Sequence, residues 1–178
     1  MDGTIPELSI IIPAYNEEER LGKTLEALIA FLHHHVLSWE ILVVDDGSTD
    51  NTLAVARAFS DAYPVRTLRY EQNRGKGYAL RTGVGSARGK CIATYDADAA
   101  IPVEDLYALY VCLIDGGYDM VIASRFEHKN PAAVRIPLHR FLLGRIYAAL
   151  CRPLVPGIRD CSCGCKVYRG DVARALFR

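Results

Sequence analysis

Short apolar runs alternate with stretches of helical period through residue 123. Leu8–Ile12, Glu40–Val44, Val65–Tyr70, Cys91–Tyr95 and Asp119–Ala123 are rich in Ile, Val and Leu and short enough for buried strands. Between them, Glu17–Ala30 repeats Leu21, Leu25, Leu28 and Ile29 on one face, and Val103–Ile114 does the same with Leu106, Leu109, Tyr110 and Leu113. Thr52–Ala62 and the stretch from Asn73 through Tyr78, Leu80, Val84 and Ala87 complete the alternation. Punctuation agrees: Pro13 is expected to end the first strand, Pro102 to open a helix and Gly116-Gly117 to stop it. Strand–helix alternation predicts an α/β fold with a mostly parallel sheet flanked by helices.

After Arg125 the pattern changes. Residues 126–136 are polar and irregular and read as a loop. Pro137 opens a helix to about Leu150, with Leu138, Leu142, Leu143, Ile146, Tyr147 and Leu150 on one half and Arg140, Arg145 and Arg152 on the other. Such a helix fits a membrane interface or packing on its own core, and the second is the commoner use. Cys161–Tyr168 reads as a strand, followed by a short helix from Asp171.

A chain of 178 residues suits one domain, and 51% hydrophobic with 24% charged residues makes it globular. Net charge is zero, but residues 1–123 hold 10 Lys and Arg against 18 Asp and Glu, and residues 124–178 hold 11 against 3. An acidic front suits a cation, and a basic back suits an anionic partner such as a phosphate or membrane surface. No run approaches a membrane span and no signal pattern opens the chain. The six scattered Cys, with Cys91 and Cys112 in buried-looking segments, suggest reduced cytosolic thiols. His33-His34-His35 point in different directions on a helix, and Cys161, Cys163 and Cys165 have no second cluster to complete zinc.

The candidate chemistry gathers at strand ends. The run from Cys91 stops at Asp96 and Asp98, and α/β sheets bind ligands outside the carboxyl ends of their strands. Two carboxylates there suit Mg²⁺ or Mn²⁺ beside a substrate phosphate, although a turn also explains an Asp after a strand. Asp45-Asp46 after the second strand is costly without partners. Such a pair in a receiver domain would follow the first strand instead. Ser48, Thr49 or Asp50 can cap the next helix. Asn73-Arg74-Gly75-Lys76-Gly77 is a basic, glycine-rich loop able to cradle an anion, without P-loop or dinucleotide spacing.

Taken in order, Pro13-Ala14-Tyr15-Asn16-Glu17, Asp45-Asp46-Gly47-Ser48, Asn73-Arg74-Gly75-Lys76 and Asp96-Ala97-Asp98 resemble family 2 glycosyltransferases of the Rossmann-like GT-A fold. Gly157-Ile158-Arg159-Asp160 with Cys163-Gly164-Cys165-Lys166 is similar to the dolichyl-phosphate glucosyltransferase and polyprenyl-phosphate hexosyltransferase branch. The resemblance implies one catalytic domain over 8–178, with a nucleotide-sugar part to about 123 and an acceptor part from about 124. It implies that Pro13, Tyr15 and Glu17 line a base pocket that Asp45, beside Asp46, contacts. Lys76 lies near the phosphates. Asp96 serves the ribose and metal side, and Asp98 holds Mg²⁺ or Mn²⁺. Arg125 contacts an acceptor phosphate or diphosphate, and Asp160 and Lys166 belong to the acceptor motif.

The activity so implied is inverting transfer of a hexose, glucose foremost, from a UDP-sugar to a polyprenyl phosphate at the cytosolic face of a membrane, with no nucleic-acid partner. Alternatives are a GDP-mannose donor, a sugar-hydroxyl acceptor with Asp160 as base, a nucleotidyltransferase, or a non-catalytic binding fragment. Two departures stand out: Ala100 replaces the Gln of the mannosyl branch, and Cys165 replaces the usual Phe. The chain stops at Arg178 where members of this family continue, so a shortened C-terminus is expected.

Overall fold

The computed structural model describes residues 5–36, 38–124, 160 and 163–178. Arg125, Cys161, the expected loop 126–136 and the expected helix 137–150 lie outside the described residues. The elements run β1 Leu8–Ala14, α1 Glu18–His35, β2 Trp39–Asp45, α2 Thr52–Arg57, β3 Val65–Arg69, α3 Lys76–Ser86, β4 Cys91–Thr94, α4 Val103–Gly116, β5 Met120–Ile122, β6 Lys166–Arg169 and α5 Gly170–Leu176. They build a six-stranded sheet in the order β3-β2-β1-β4-β6-β5. The first four strands in chain order pair in parallel, and β6 runs antiparallel to both β4 and β5. The expected mostly parallel α/β sheet is therefore present.

The period of two along each strand sorts the core into two layers. Ile10, Ile12, Ile41, Val43, Cys91 and Ala93 pack with α1 and α4 on one face. Ile11, Leu42, Val44 and Ile92 pack with α3 and α5 on the other. Helix α1 closes at His33-His34-His35, as expected, and its apolar stripe continues through Leu32, which is buried. Its acidic first turn and three terminal His complement the helix dipole. Helix α2 is shorter than expected. Phe59 and Ser60 donate to carbonyls only three residues back, and the chain unwinds ahead of Pro64, whose ring disfavours helix in the preceding residue. In α4, Gly117 adopts φ +63 at the C-cap, as the glycine pair led us to expect.

Two expectations need correction. Pro13 does not end β1, which continues to Ala14 opposite Asp45. The carbonyl of Ile11 accepts from Tyr95 beyond β4, while that of Ala14 accepts from Asp46 beyond β2. Pro13 therefore turns its missing donor toward the β4 side, where that strand has already stopped at Thr94, and the sheet loses no bond. Cys112 is exposed on α4 rather than buried, because the helix period sets it outside the stripe of Leu106 and Leu113. Cys91 and Cys165 are buried thiols.

The order β3-β2-β1-β4 reverses direction at β1, so a crevice opens between the carboxyl ends of β1 and β4. The opposite end of the sheet is closed by a buried polar cluster. Glu40, 1% exposed, accepts from the Ser9 hydroxyl at 2.7 Å, the Arg88 amide at 2.7 Å and the Arg66 guanidinium at 3.1 Å. Burial alone would raise its pKa, but these donors outweigh it and hold the carboxyl below its ordinary value near 4.5.

The stabilisation from Glu40 is complete above the unfolded-state value and is lost as pH falls through the lower folded-state value. Glu40→Gln is expected to cost about 1–3 kcal/mol at neutral pH, since an amide cannot accept from every donor in the cluster. The difference from the parent should shrink toward about pH 3.5. Urea denaturation at the two pH values checks both parts.

Candidate active site

The switch-point crevice holds about 350 Å³ and is lined by Pro13, Ala14, Tyr15, Glu17, Asp46, Asn73, Gly75, Lys76, Asp96, Ala97 and Asp98. Four separate chain segments meet there, and local polar contacts explain why each stands as it does.

The β1 rim is fastened to the β2 turn. The Asn16 amide donates to the Ser48 hydroxyl at 3.0 Å, and the Asn16 side chain accepts from the Thr49 amide at 2.9 Å. The Glu17 amide donates to the Thr52 hydroxyl at 2.7 Å. Asn16 takes φ +55, a conformation that Asn tolerates better than most side chains. Tyr15 is left 45% exposed on the rim. The N-cap of α2 is Asn51 rather than Ser48, Thr49 or Asp50, although Asp50 just before it accepts from the Thr52 amide at 2.9 Å.

The two acids after β2 face different ways. Asp45 is fully buried behind the crevice wall. It accepts from the Ser48 amide at 2.9 Å and faces Arg69 at 3.5 Å. The expected Asp45 contact is thus replaced on the wall by Asp46. Successive side chains on an extended strand end point to opposite sides. Asp46 in turn accepts from the backbone amides of Arg74 at 2.8 Å and Gly75 at 2.9 Å. It clamps the glycine-rich loop, and Gly47 makes room for this. At φ +73, a Cβ on Gly47 would press on the backbone of Glu71–Asn73. Tyr70 lies beside Asp46, and burial followed by that neighbouring carboxylate pushes its phenol pKa up. Arg74 stacks on Tyr78, 3.8 Å from the ring centre, which leaves Lys76 as the loop cation lining the crevice.

Past β4, Lys76 Nζ lies 2.5 Å from Asp96 Oδ1. Asp98 is exposed, and its Oδ1 accepts from the Ala100 amide at 3.1 Å. Ala97 between them is buried. The buried Tyr95 hydroxyl donates to the Ile101 carbonyl. Gly164 backs onto Asp96 so closely that a Cβ would overlap the carboxylate, and its carbonyl accepts from the Thr94 hydroxyl at 2.7 Å. Donors here are oxygens only, and no group of three or more metal-ligating side chains exists among the described residues. That set fits a hard cation that keeps waters or substrate phosphate oxygens in its shell, as Mg²⁺ does.

The acceptor-motif residues are less fully placed. Arg125 lies outside the described residues. Asp160 is buried, and Lys166 starts β6 in register with Thr94. Both lie off the crevice wall. Asn73, Gly75, Ala14 and Ala97 join the lining although the expected site had not included them. The first two belonged to the glycine-rich loop already suspected of cradling an anion.

The sheet, its switch point and this crevice define a GT-A fold. The glucosyl-3-phosphoglycerate synthase from Mycobacterium tuberculosis, solved with Mn²⁺, UDP-glucose and phosphoglyceric acid, superimposes with a TM-score of 0.71 at 23% identity, over 93% of this chain and 57% of that one. The profile of glycosyl transferase family 2 matches residues 9–177, and the chain belongs to that family. Among its relatives are a dolichyl-phosphate beta-glucosyltransferase from Drosophila melanogaster and a dodecaprenyl-phosphate galacturonate synthase from Rhizobium johnstonii. The first is 38% identical over 187 residues, covering 96% of this chain and 57% of the relative. The second is 31% identical over 175 residues, covering 96% and 50%. The chain thus spans little more than half the length of the curated relatives it matches.

Because a methyl at position 164 would meet the Asp96 carboxylate, Gly164→Ala is expected to turn that carboxylate away from Lys76. The exposed pair contributes under about 1 kcal/mol, so the fold should be nearly as stable as the parent. A crystal structure of the variant and its urea denaturation curve check the two halves.

Proposed function

We propose that this chain is an inverting hexosyltransferase that moves glucose from UDP-glucose to a polyprenyl phosphate of the dolichyl class. The observation that carries the proposal is the convergence of Tyr15, Glu17, Asp46, Lys76, Asp96 and Asp98 on one crevice at the switch point of the sheet. The lipid-phosphate acceptors in the names of the Drosophila and Rhizobium relatives supply the acceptor class. The Mn²⁺ and UDP-glucose in the mycobacterial synthase supply the donor class.

In this reading Pro13, Tyr15 and Glu17 bound the base pocket, with Asp46 on its wall and Asp45 bracing the turn behind. Asp96 and Asp98 would hold Mg²⁺ or Mn²⁺, which when bound supplies positive charge against the leaving nucleoside diphosphate. Lys76 faces the same diphosphate and exchanges its pairing with Asp96 for it. The acceptor phosphate has a second pKa near ~6 and is already largely anionic at neutral pH. It requires placement more than deprotonation, and Arg125 and Lys166 supply cations for this, with Asp160 in the same motif. Arg suits the task because its planar fork matches phosphate oxygens. Among the described residues no helix is long and apolar enough to cross a membrane. The excess of Lys and Arg over Asp and Glu after residue 123 supports peripheral contact at the cytosolic face as the access to a lipid-borne phosphate.

Incubating the chain with Mg²⁺ or Mn²⁺, a panel of UDP- and GDP-sugars and a short polyprenyl phosphate is expected to yield lipid-linked glucose from UDP-glucose. Asp98→Ala should lower the rate by about 100-fold or more with an unchanged circular dichroism spectrum. Product formed only on soluble sugar hydroxyls, or pyrophosphate released from a nucleoside triphosphate, would point to a different transferase. Undiminished turnover in Asp98→Ala would remove the metal role.

A further inference from the structure

We propose that Thr24, in the middle of α1, is a positioning residue for the two acids of the Asp96–Asp98 loop. Its hydroxyl lies 2.7 Å from the Ala97 carbonyl and donates to it. Thr24 is 3% exposed and Ala97 4% exposed, so no water competes for that carbonyl. A threonine inside a helix satisfies its hydroxyl on the carbonyl four residues back. Here that local acceptor, Arg20, lies farther off at 3.2 Å. The shorter bond reaches across the core to the peptide joining the residue after Asp96 to Asp98.

The loop depends on outside support. Within it, the Ala99 amide donates to the Asp96 carbonyl at 3.2 Å and the Ala100 amide to Asp98 at 3.1 Å. Ala99 takes φ +49, where an L side chain is disfavoured. The Tyr95 hydroxyl fixes the far end at Ile101, and Thr24 fixes the near end between the acids. Without the Thr24 hydroxyl, the Ala97 carbonyl would be buried with no partner among the described residues. That state is relieved by rotating the peptide toward water. Asp98 follows that peptide directly and Asp96 stands one residue before it, so the backbone shift that frees the carbonyl would carry through Ala97 and Asp98 to both carboxylates. Their bearing on a shared cation would be lost although neither acid was changed.

This assignment rests on the donor-site reading above, and the test separates the two. Thr24→Val removes the hydroxyl at nearly constant volume, Thr24→Ser retains it, and Thr24→Ala is the second hydroxyl-free variant should valine prevent folding. Hydrogen exchange is measured over residues 97–101 of the ligand-free chain, and UDP binding is measured with and without Mn²⁺ by calorimetry. Thr24→Val is expected to exchange about tenfold faster in that segment and to bind UDP with Mn²⁺ about tenfold more weakly. Thr24→Ser should match the parent in both.

Parent-like exchange and parent-like binding in the hydroxyl-free variant would overturn the role of Thr24 while leaving the donor site standing. Faster exchange with unweakened binding would overturn it as well, reducing Thr24 to a structural bond. No Mn²⁺-dependent UDP binding by the parent chain would overturn the donor-site reading, and this role with it.

Discussion

Like charges gathered at one end of a sheet repel, and the architecture around the crevice answers that repulsion acid by acid. Glu17 lies 2.7 Å from Arg20, Asp46 receives two backbone amides, and Asp96 is paired with Lys76. Each partner also fixes a segment. Arg20 belongs to α1, the amides belong to the glycine-rich loop, and Lys76 begins α3. Neutralising the acids and building the crevice are therefore one operation. Asp98 differs from the other three: its carboxylate faces solvent and, among the described residues, accepts only a local amide on Oδ1. In the proposed reaction that is the acid best placed to serve a cation brought in with the substrate.

The two ends of the sheet treat charge in opposite ways. At the amino ends of β1 and β2, Glu40 is sealed from water among Ser9, Arg66 and Arg88, with its hydrogen-bonding capacity met from within the protein. That arrangement fixes the register of Ser9 against Glu40 and fastens the loop entering β4. At the carboxyl ends, strands stop early, Asp45 and Asp46 stay buried, and Asp96 and Asp98 reach outward. A rigid pole opposite an open one holds four strand ends steady while leaving their polar groups available, which is the general arrangement of ligand sites in doubly wound sheets.

Much of this was legible in the sequence because it is written locally. Strand cores were short Ile- and Val-rich runs, α4 carried its own start and stop in Pro102 and Gly117, and the acids stood at the ends of apolar runs. What could not be read was pairing between distant residues. Nothing near Thr24 points to Ala97, and nothing near Gly164 announces that its missing side chain makes room for Asp96. Which of Asp45 and Asp46 lines the crevice turns on a single residue of strand phase, which a run of apolar residues does not specify. Pro13 misled for the same reason: whether a proline ends a strand depends on how far the neighbouring strand extends.

The position of β6 in the sheet bears on how the chain comes together. It is inserted between β4 and β5, yet it follows both in chain order. As the polypeptide leaves the ribosome, β1 to β4 can assemble from neighbours already made, but the far edge of β4 must wait. Until β6 arrives, that edge presents unsatisfied amides and carbonyls beside apolar side chains, the kind of surface that attracts chaperones or wrong partners. Gly164 arrives with β6, so the wall behind Asp96 is completed only after β1 to β5 have been made.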